Sequence, residues 1–146
     1  MDSELATLLG EILATVNRLE RIAYQSVESS KSSTYYRTLG ALRQFGPQRA
    51  SALAQHYRVS QPAMSRVITA LVDDGLVVRE PDSTDSRASI IRISELGERV
   101  YLERLNAMGR AVTPYFAEIS VVDRAVLGAA LEVLKINQSR AGAGLA

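Results

Sequence analysis

Within the stretch S-Q-P-A-M-S-R-V-I-T-A-L-V-D-D-G, Ser60 to Gly75, the residues able to do recognition chemistry are Gln61, Pro62, Ala63, Ser65, Arg66 and Thr69. At about 100° per residue, Pro62, Ser65, Arg66 and Thr69 fall on one side of a helix, and no acid appears before Asp73 and Asp74. Small, basic or hydrogen-bonding side chains without a carboxylate suit a groove lined with base edges and phosphates. An arginine such as Arg66 can bond a guanine through two donors and a glutamine such as Gln61 an adenine, each worth about 1 to 3 kcal/mol of discrimination. A second group lies in P-D-S-T-D-S-R, Pro81 to Arg87. Arg87 there has the chemistry to enter a narrow minor groove, where the negative potential is strongest, and Asp85 can hold its guanidinium by a charge-assisted hydrogen bond. Arg49 and Arg58 suit phosphate contacts better than base readout.

Other chemistries find little material. The chain has no cysteine, which removes disulfides, thiolate nucleophiles and Cys-ligated zinc together, and its single histidine, His56, builds no metal site. There is no G-x-S-x-G, H-E-x-x-H or phosphate-binding loop, so neither enzyme activity nor a cofactor is expected. No apolar run approaches a membrane span and no signal peptide opens the chain, so a soluble cytoplasmic protein is expected.

The elements that must position these residues follow from periodicity. Met64, Val67, Ile68 and Leu71 recur at i, i+3, i+4 and i+7, the buried face of the Ser60–Gly75 helix. Ser60 is its N-cap, Pro62 sits in the first turn where a missing N–H costs nothing, and Gly75 suits a left-handed stop. Before it, the alanine-rich segment from Gln48 to Tyr57 reads as a short helix, so the two make a helix-turn-helix. After it, Leu76–Glu80 and Ser89–Ile93 are rich in β-branched residues and flank the polar Pro81–Arg87 loop, a hairpin placed as a wing.

The charge distribution agrees. From Ser29 to Val72 there are six basic residues, Lys31, Arg37, Arg43, Arg49, Arg58 and Arg66, and no acidic one; since the whole chain is +1, the rest carries −5. One basic face for a polyanion is the reading that joins this to the motif, against solvated helix faces alone.

These residues resemble the MarR family of bacterial transcriptional regulators: the block S-Q-P-A-M-S-R-V-I-T-A-L-V-D-D-G-L-V at Ser60 to Val77, D-S-R at Asp85 to Arg87, and I-S-E-L-G at Ile93 to Gly97. Ser83 and Thr84 stand where the family commonly has a further wing arginine, so the tip is expected to make fewer phosphate contacts. The resemblance implies a homodimer whose intertwined ends form the dimerisation part, and a small aromatic or phenolic effector. Tyr24, Tyr35, Tyr36, Tyr101, Tyr115 and Phe116 can line such a pocket, although aromatics at helical spacing are more often core.

The ends fit that architecture. Leu5, Leu8, Leu9, Ile12, Leu13, Val16, Leu19, Ile22 and Ala23 form one amphipathic stripe too long for a small chain to cover by itself, which points to a partner subunit. A C-terminal helix capped by Ser94 is bent or interrupted at Pro114, and another starts at Ser120 with Asp123 as an approximate capping box, leading to a frayed tail from Ser139. The expectation is a mainly α-helical winged helix-turn-helix with a small β-hairpin wing and long N- and C-terminal dimerisation helices. Residues 1–28 and 98–146 would form the dimerisation region and 29–97 the DNA-binding region, with the recognition helix near 61–74 and the wing near 76–93. The corresponding function is a sequence-specific transcriptional regulator, a repressor, acting on double-stranded DNA as a homodimer. The alternative from another class is a winged-helix protein-interaction module that docks an acidic partner and never touches DNA.

Overall fold

Among the described residues, 2–142, the computed structural model has six α-helices and three short strands. In chain order they are α1 (Ser3–Ser26), α2 (Ser33–Phe45), β1 (Gln48–Arg49), α3 (Ala50–His56), α4 (Gln61–Asp73), β2 (Val77–Pro81), β3 (Ser89–Ile93), α5 (Glu95–Val112) and α6 (Val121–Gly142), with a 3-10 turn at Thr113–Phe116. The chain groups into two compact units, Met1–Ala111 and Val112–Ala146. None of the described helices is long and apolar enough to cross a membrane.

Local sequence chemistry sets most helix boundaries. The hydroxyls of Ser32, Ser60, Ser94 and Ser120 each accept a backbone N–H of the first turn, from Tyr35 at 3.3 Å, Ala63 at 3.2 Å, Gly97 at 3.0 Å and Asp123 at 3.0 Å. Ser120 Oγ also donates to Asp123 at 2.7 Å, so the reciprocal bond there joins two side chains, because an aspartate is too short to reach back to the cap's own N–H. Gly46 and Gly75 end α2 and α4 at φ 76° and 73°, the left-handed region that a Cβ disfavours. Pro114 falls inside the 3-10 turn, so α5 stops at Val112 as the proline requires.

The sheet is antiparallel in the order β1-β3-β2. The wing hairpin runs from Val77 opposite Ile93 to Pro81 opposite Ser89, and on the other side of β3 Gln48 pairs with Ile91 and Arg49 with Ile90. Strand β1 corrects the expectation of a helix beginning at Gln48: α3 begins at Ala50, and its N-cap, Arg49, makes no side-chain cap bond. Two residues are too few to show an alternating pattern, and the pairing is long-range.

Leu39, Leu42, Leu53, Met64, Ile68, Leu71 and Ile91 are fully buried, drawing α2, α3, α4 and the sheet onto one core. Each such side chain contributes about 1.5 to 3 kcal/mol. The base of the wing is fastened to both neighbouring helices. Ser94 N–H donates to Leu76 O at 2.9 Å, and Ser94 Oγ donates to Gly75 O at 2.7 Å. Here only glycine fits at 97, since a Cβ would lie 2.0 Å from Leu76 O.

The terminal helices are different. In α1 only Ala23 is buried, while Leu5, Leu8, Leu9, Leu13 and Val16 are 40–65% exposed. In α6, Val121, Val122, Val126, Leu127, Leu131, Val133, Leu134 and Ile136 are all exposed. Their positions surround the helix rather than forming a single stripe, a pattern that belongs to a helix enclosed by other chains or elements. Helix α6 continues to Gly142, and residues 143–146 of the tail lie outside the described residues.

Candidate nucleic-acid interface

Helix α4 is held by its apolar face and offers the other. Met64, Ile68 and Leu71 are completely buried, whereas Gln61, Pro62, Ser65, Arg66 and Thr69 are exposed and Ala63 is half-buried. Ser60 uses its hydroxyl as the cap, which leaves less of it for a ligand. The tight connection from α3 places Arg58 at φ 50°, a left-handed residue between Tyr57 and Val59, and Val59 N–H closes the turn on Ala54 O at 3.0 Å. A non-glycine residue there carries strain of about 1 kcal/mol. His56 packs edge-on between Phe45 and Tyr57, at centroid distances of 5.8 and 4.7 Å.

The wing is more ordered than its polar sequence implies. Asp82, with a side chain only 5% exposed, accepts from Thr84 N–H and Thr84 Oγ1, both at 2.8 Å, and from Arg49 Nε at 2.6 Å. Arg49 Nη2 donates to Thr84 Oγ1 at 2.9 Å. The Thr84 N–H and hydroxyl, then the Arg49 guanidinium, pull the Asp82 carboxyl down to about 2. Asp82 is one residue that sequence reading missed; its signal was the Asp-Ser-Thr spacing of a side-chain-stabilised turn.

Two expectations change with this geometry. Asp85 accepts the backbone N–H of Arg87 at 3.0 Å and does not hold the guanidinium, because the short carboxylate closes a local turn first. Arg49 and Thr84 are exposed but bonded to Asp82, so their donors are less available to phosphate than their types suggested. Ser83, Asp85 and Arg87 remain exposed. The basic segment shrinks likewise: Lys31 is paired with Asp74 at 2.7 Å and Arg37 lies over the Tyr57 ring at 5.3 Å. Among the described residues, the guanidiniums of Arg43, Arg58, Arg66 and Arg87 make no hydrogen bond or ion pair.

The candidate effector tyrosines differ in their surroundings. Tyr24 and Tyr36 share an open groove of about 750 Å³ with Val27 and Ser29, and the Ser29 and Tyr36 hydroxyls lie 3.0 Å apart. Tyr101 covers Gly40 of α2 and is near enough to Tyr24 to act on its hydroxyl, whereas Tyr115, 68% exposed, belongs to the second unit. Sequence reading overlooked Arg104, whose buried guanidinium stacks on Tyr36 at 4.6 Å and on Tyr24 at 5.5 Å while Nη1 donates to Val27 O. Among the described residues no cluster of His, Cys, Asp or Glu has the makings of a metal site.

Comparison with known proteins bears on this arrangement directly. The MarR family model matches residues 31–89, which span α2 through the start of β3. HTH-type transcriptional regulator ML2140 of Mycobacterium leprae is 35% identical over 98 residues, 66% of this chain and 68% of the relative. Among solved structures, transcriptional regulator Tm0710 of Thermotoga maritima has a TM-score of 0.67 at 20% identity, covering 95% of this chain and 96% of that one. The PcaV transcriptional regulator of Streptomyces coelicolor, solved in complex with its natural ligand, has a TM-score of 0.58 at 18% identity and covers 92% of each. These structures share the winged helix fold, and the regulator reading prevails over both an enzyme and a protein-docking module. An acid-free recognition helix, a pre-ordered wing and these relatives lead to one conclusion: the chain belongs to the MarR family and is a DNA-binding transcriptional regulator.

Proposed function

We propose that the protein acts as a homodimeric repressor on a pseudo-palindromic operator, with α4 of each subunit in a major groove and the wing in the adjacent minor groove. The observation that carries this reading is the pair of exposed, unpartnered cations, Arg66 on α4 and Arg87 in the wing loop. Gln61, Pro62, Ala63, Ser65 and Thr69 are the other residues of α4 at the bases; Arg58, Ser60, Ser83 and Asp85 flank them. The exposed apolar faces of α1 and α6 support residues 1–28 and 98–146 as the dimerisation region, since patches of that extent are normally covered. Two-fold symmetry then sets the half-sites about one helical turn, roughly 10 to 10.5 base pairs, apart.

The same reading gives the groove beside Tyr24 and Tyr36 to a small aromatic effector, with Tyr101 and Tyr115 as further candidates. An effector shifts the regulator only by its differential affinity for DNA-competent and DNA-incompetent spacings of the two α4 helices. Anisotropy titration of labelled promoter fragments between 50 and 200 mM salt tests the reading. Specific binding is expected, with log K falling by about 0.9 per phosphate contact for each tenfold rise in salt. Absence of binding at the lowest salt, or a flat salt dependence, refutes it.

A further inference from the structure

We propose that Arg49, Asp82 and Thr84 form a clamp that holds the wing tip against the helix-turn-helix, making Arg49 and Asp82 positioning residues for DNA binding and leaving Arg87 as the tip's free cation. The inference rests on the wing entering a minor groove, as proposed above. Its basis is the path of one side chain. Arg49 belongs to β1, which pairs with β3, yet its guanidinium reaches Asp82, just beyond the end of β2 on the far side of β3. It therefore crosses the strand between them and fastens the loop end of the hairpin.

The clamp's bonds saturate one another. Both Asp82 oxygens are used, Oδ1 by the Thr84 N–H and hydroxyl and Oδ2 by Arg49 Nε, and Thr84 Oγ1 receives Arg49 Nη2. A carboxylate this buried is tolerated only where such donors surround it. The tip itself is pinned at two more points, Asp82 N–H to Ala88 O at 3.2 Å and Ala88 N–H to Asp85 O at 3.0 Å, so tying Asp82 ties the loop that carries Arg87. Arg49 also occupies the N-cap of α3 without capping it, although Ser, Thr, Asp or Asn would satisfy an N–H there. The position serves the wing in place of the helix.

A phosphate contact and a clamp make opposite predictions for the same variants. Wild type, Arg49→Gln, Asp82→Asn and the double variant are titrated across a salt series. Each meets an operator fragment selected from random duplex DNA by the wild-type protein, and an unrelated duplex of equal length; hydroxyl-radical footprints follow. Under the clamp, each single variant loses specific affinity on the order of tenfold, and the double variant loses no more than either single one. The salt slope falls by the same amount in both single variants, since each releases the loop that carries Arg87, and protection of the minor groove beneath the wing disappears while protection around α4 remains. The proposal is overturned if Arg49→Gln flattens the slope by about 0.9 on both duplexes while Asp82→Asn binds as tightly as wild type. Additive losses overturn it too. Should Asp82→Asn fail to fold, Thr84→Val takes its place in the cycle. If the wild-type protein itself leaves the minor groove unprotected, the fault lies with the docking of the wing and not with the clamp.

Discussion

The Tyr35 hydroxyl donates to Asp74 Oδ2 at 2.5 Å across 39 residues of sequence, joining the first turn of α2 to the C-cap of α4. Lys31 Nζ lies 2.7 Å from the same oxygen and 5.1 Å from the Tyr35 ring centre. Ser29, whose hydroxyl accepts the Lys31 N–H, lines the groove beside Tyr36. The far end of α4 is thus fastened to the same short segment that forms the candidate effector site.

Tyr35→Phe removes the hydrogen bond and keeps the ring, and a loss of about 1 kcal/mol is expected, discounted because Asp74 is part-exposed. Urea unfolding at pH 7 measures it as a lower midpoint with unchanged slope. The Lys31 ammonium, then the Tyr35 hydroxyl, hold the Asp74 carboxyl below its usual range. A group with a lowered folded pKa stabilises above its unfolded pKa and ceases to as pH falls through the folded one. The gap between wild type and Tyr35→Phe should accordingly close on acidification below about pH 4. A gap that persists in acid would assign the effect to packing. At the other extreme, burial and the same bond raise the Tyr35 pKa, so its contribution lasts up to about pH 10 and is lost above it.

Two glycines give a contrasting pair. Gly97→Ala sets a methyl 2.0 Å from Leu76 O, against backbone that the Ser94 N–H also holds, and about 3 kcal/mol of destabilisation is expected. At Gly40 the obstacle is the tip of Tyr101, at 2.9 Å, which can swing aside. The gain of about 1 kcal/mol in helix propensity offsets much of that movement, so Gly40→Ala should change stability by less than about 1 kcal/mol. Thermal unfolding of both variants checks the ordering, and equal losses would mean that the junction at Leu76 is looser than its bonds indicate.

For DNA binding, Arg66→Ala and Arg87→Ala should differ in kind. Loss of Arg66 is expected to cost about 1 to 3 kcal/mol on a specific site and to relax preference at one base position. Loss of Arg87 should weaken binding and show most on sites with a narrow A·T-rich minor groove beneath the wing. Competition against a panel of single-base operator variants separates them; a panel profile identical to wild type for Arg66→Ala would remove it from base readout.

Local chemistry made most of this fold legible and long-range chemistry hid the rest. Ser60, Pro62 and Gly75 announce the bounds of α4 from within it, and the β-branched runs on either side of the Pro81–Arg87 loop announce the hairpin. Strand β1 exists only because β3 lies beside it. Arg49 and Asp82 are 33 residues apart, so nothing in either neighbourhood says that they meet; their types alone suggested a phosphate contact for one and a turn for the other. Arg104 escaped for the same reason, as an arginine in a helical repeat reads as solvated until Tyr24 and Tyr36 close over it.

The terminal helices make the last prediction. Leu9 of α1 is 40% exposed and Leu131 of α6 50% exposed, and a solvated chain has no reason to maintain such faces along two helices. If a second copy covers them, each leucine buried in the dimer contributes about 1.5 to 3 kcal/mol, and a carboxylate in its place must also be desolvated without a partner. Leu9→Glu and Leu131→Glu should each therefore shift sedimentation equilibrium toward monomer by at least tenfold in dissociation constant. Because these positions lie outside the helix-turn-helix, the core around Met64, Ile68 and Leu71 should keep its fold. Operator affinity should fall with the dimer and recover at high protein concentration, since each α4 remains competent and only its pairing is lost. Variants that stay dimeric at nanomolar concentration would require a different cover for these faces.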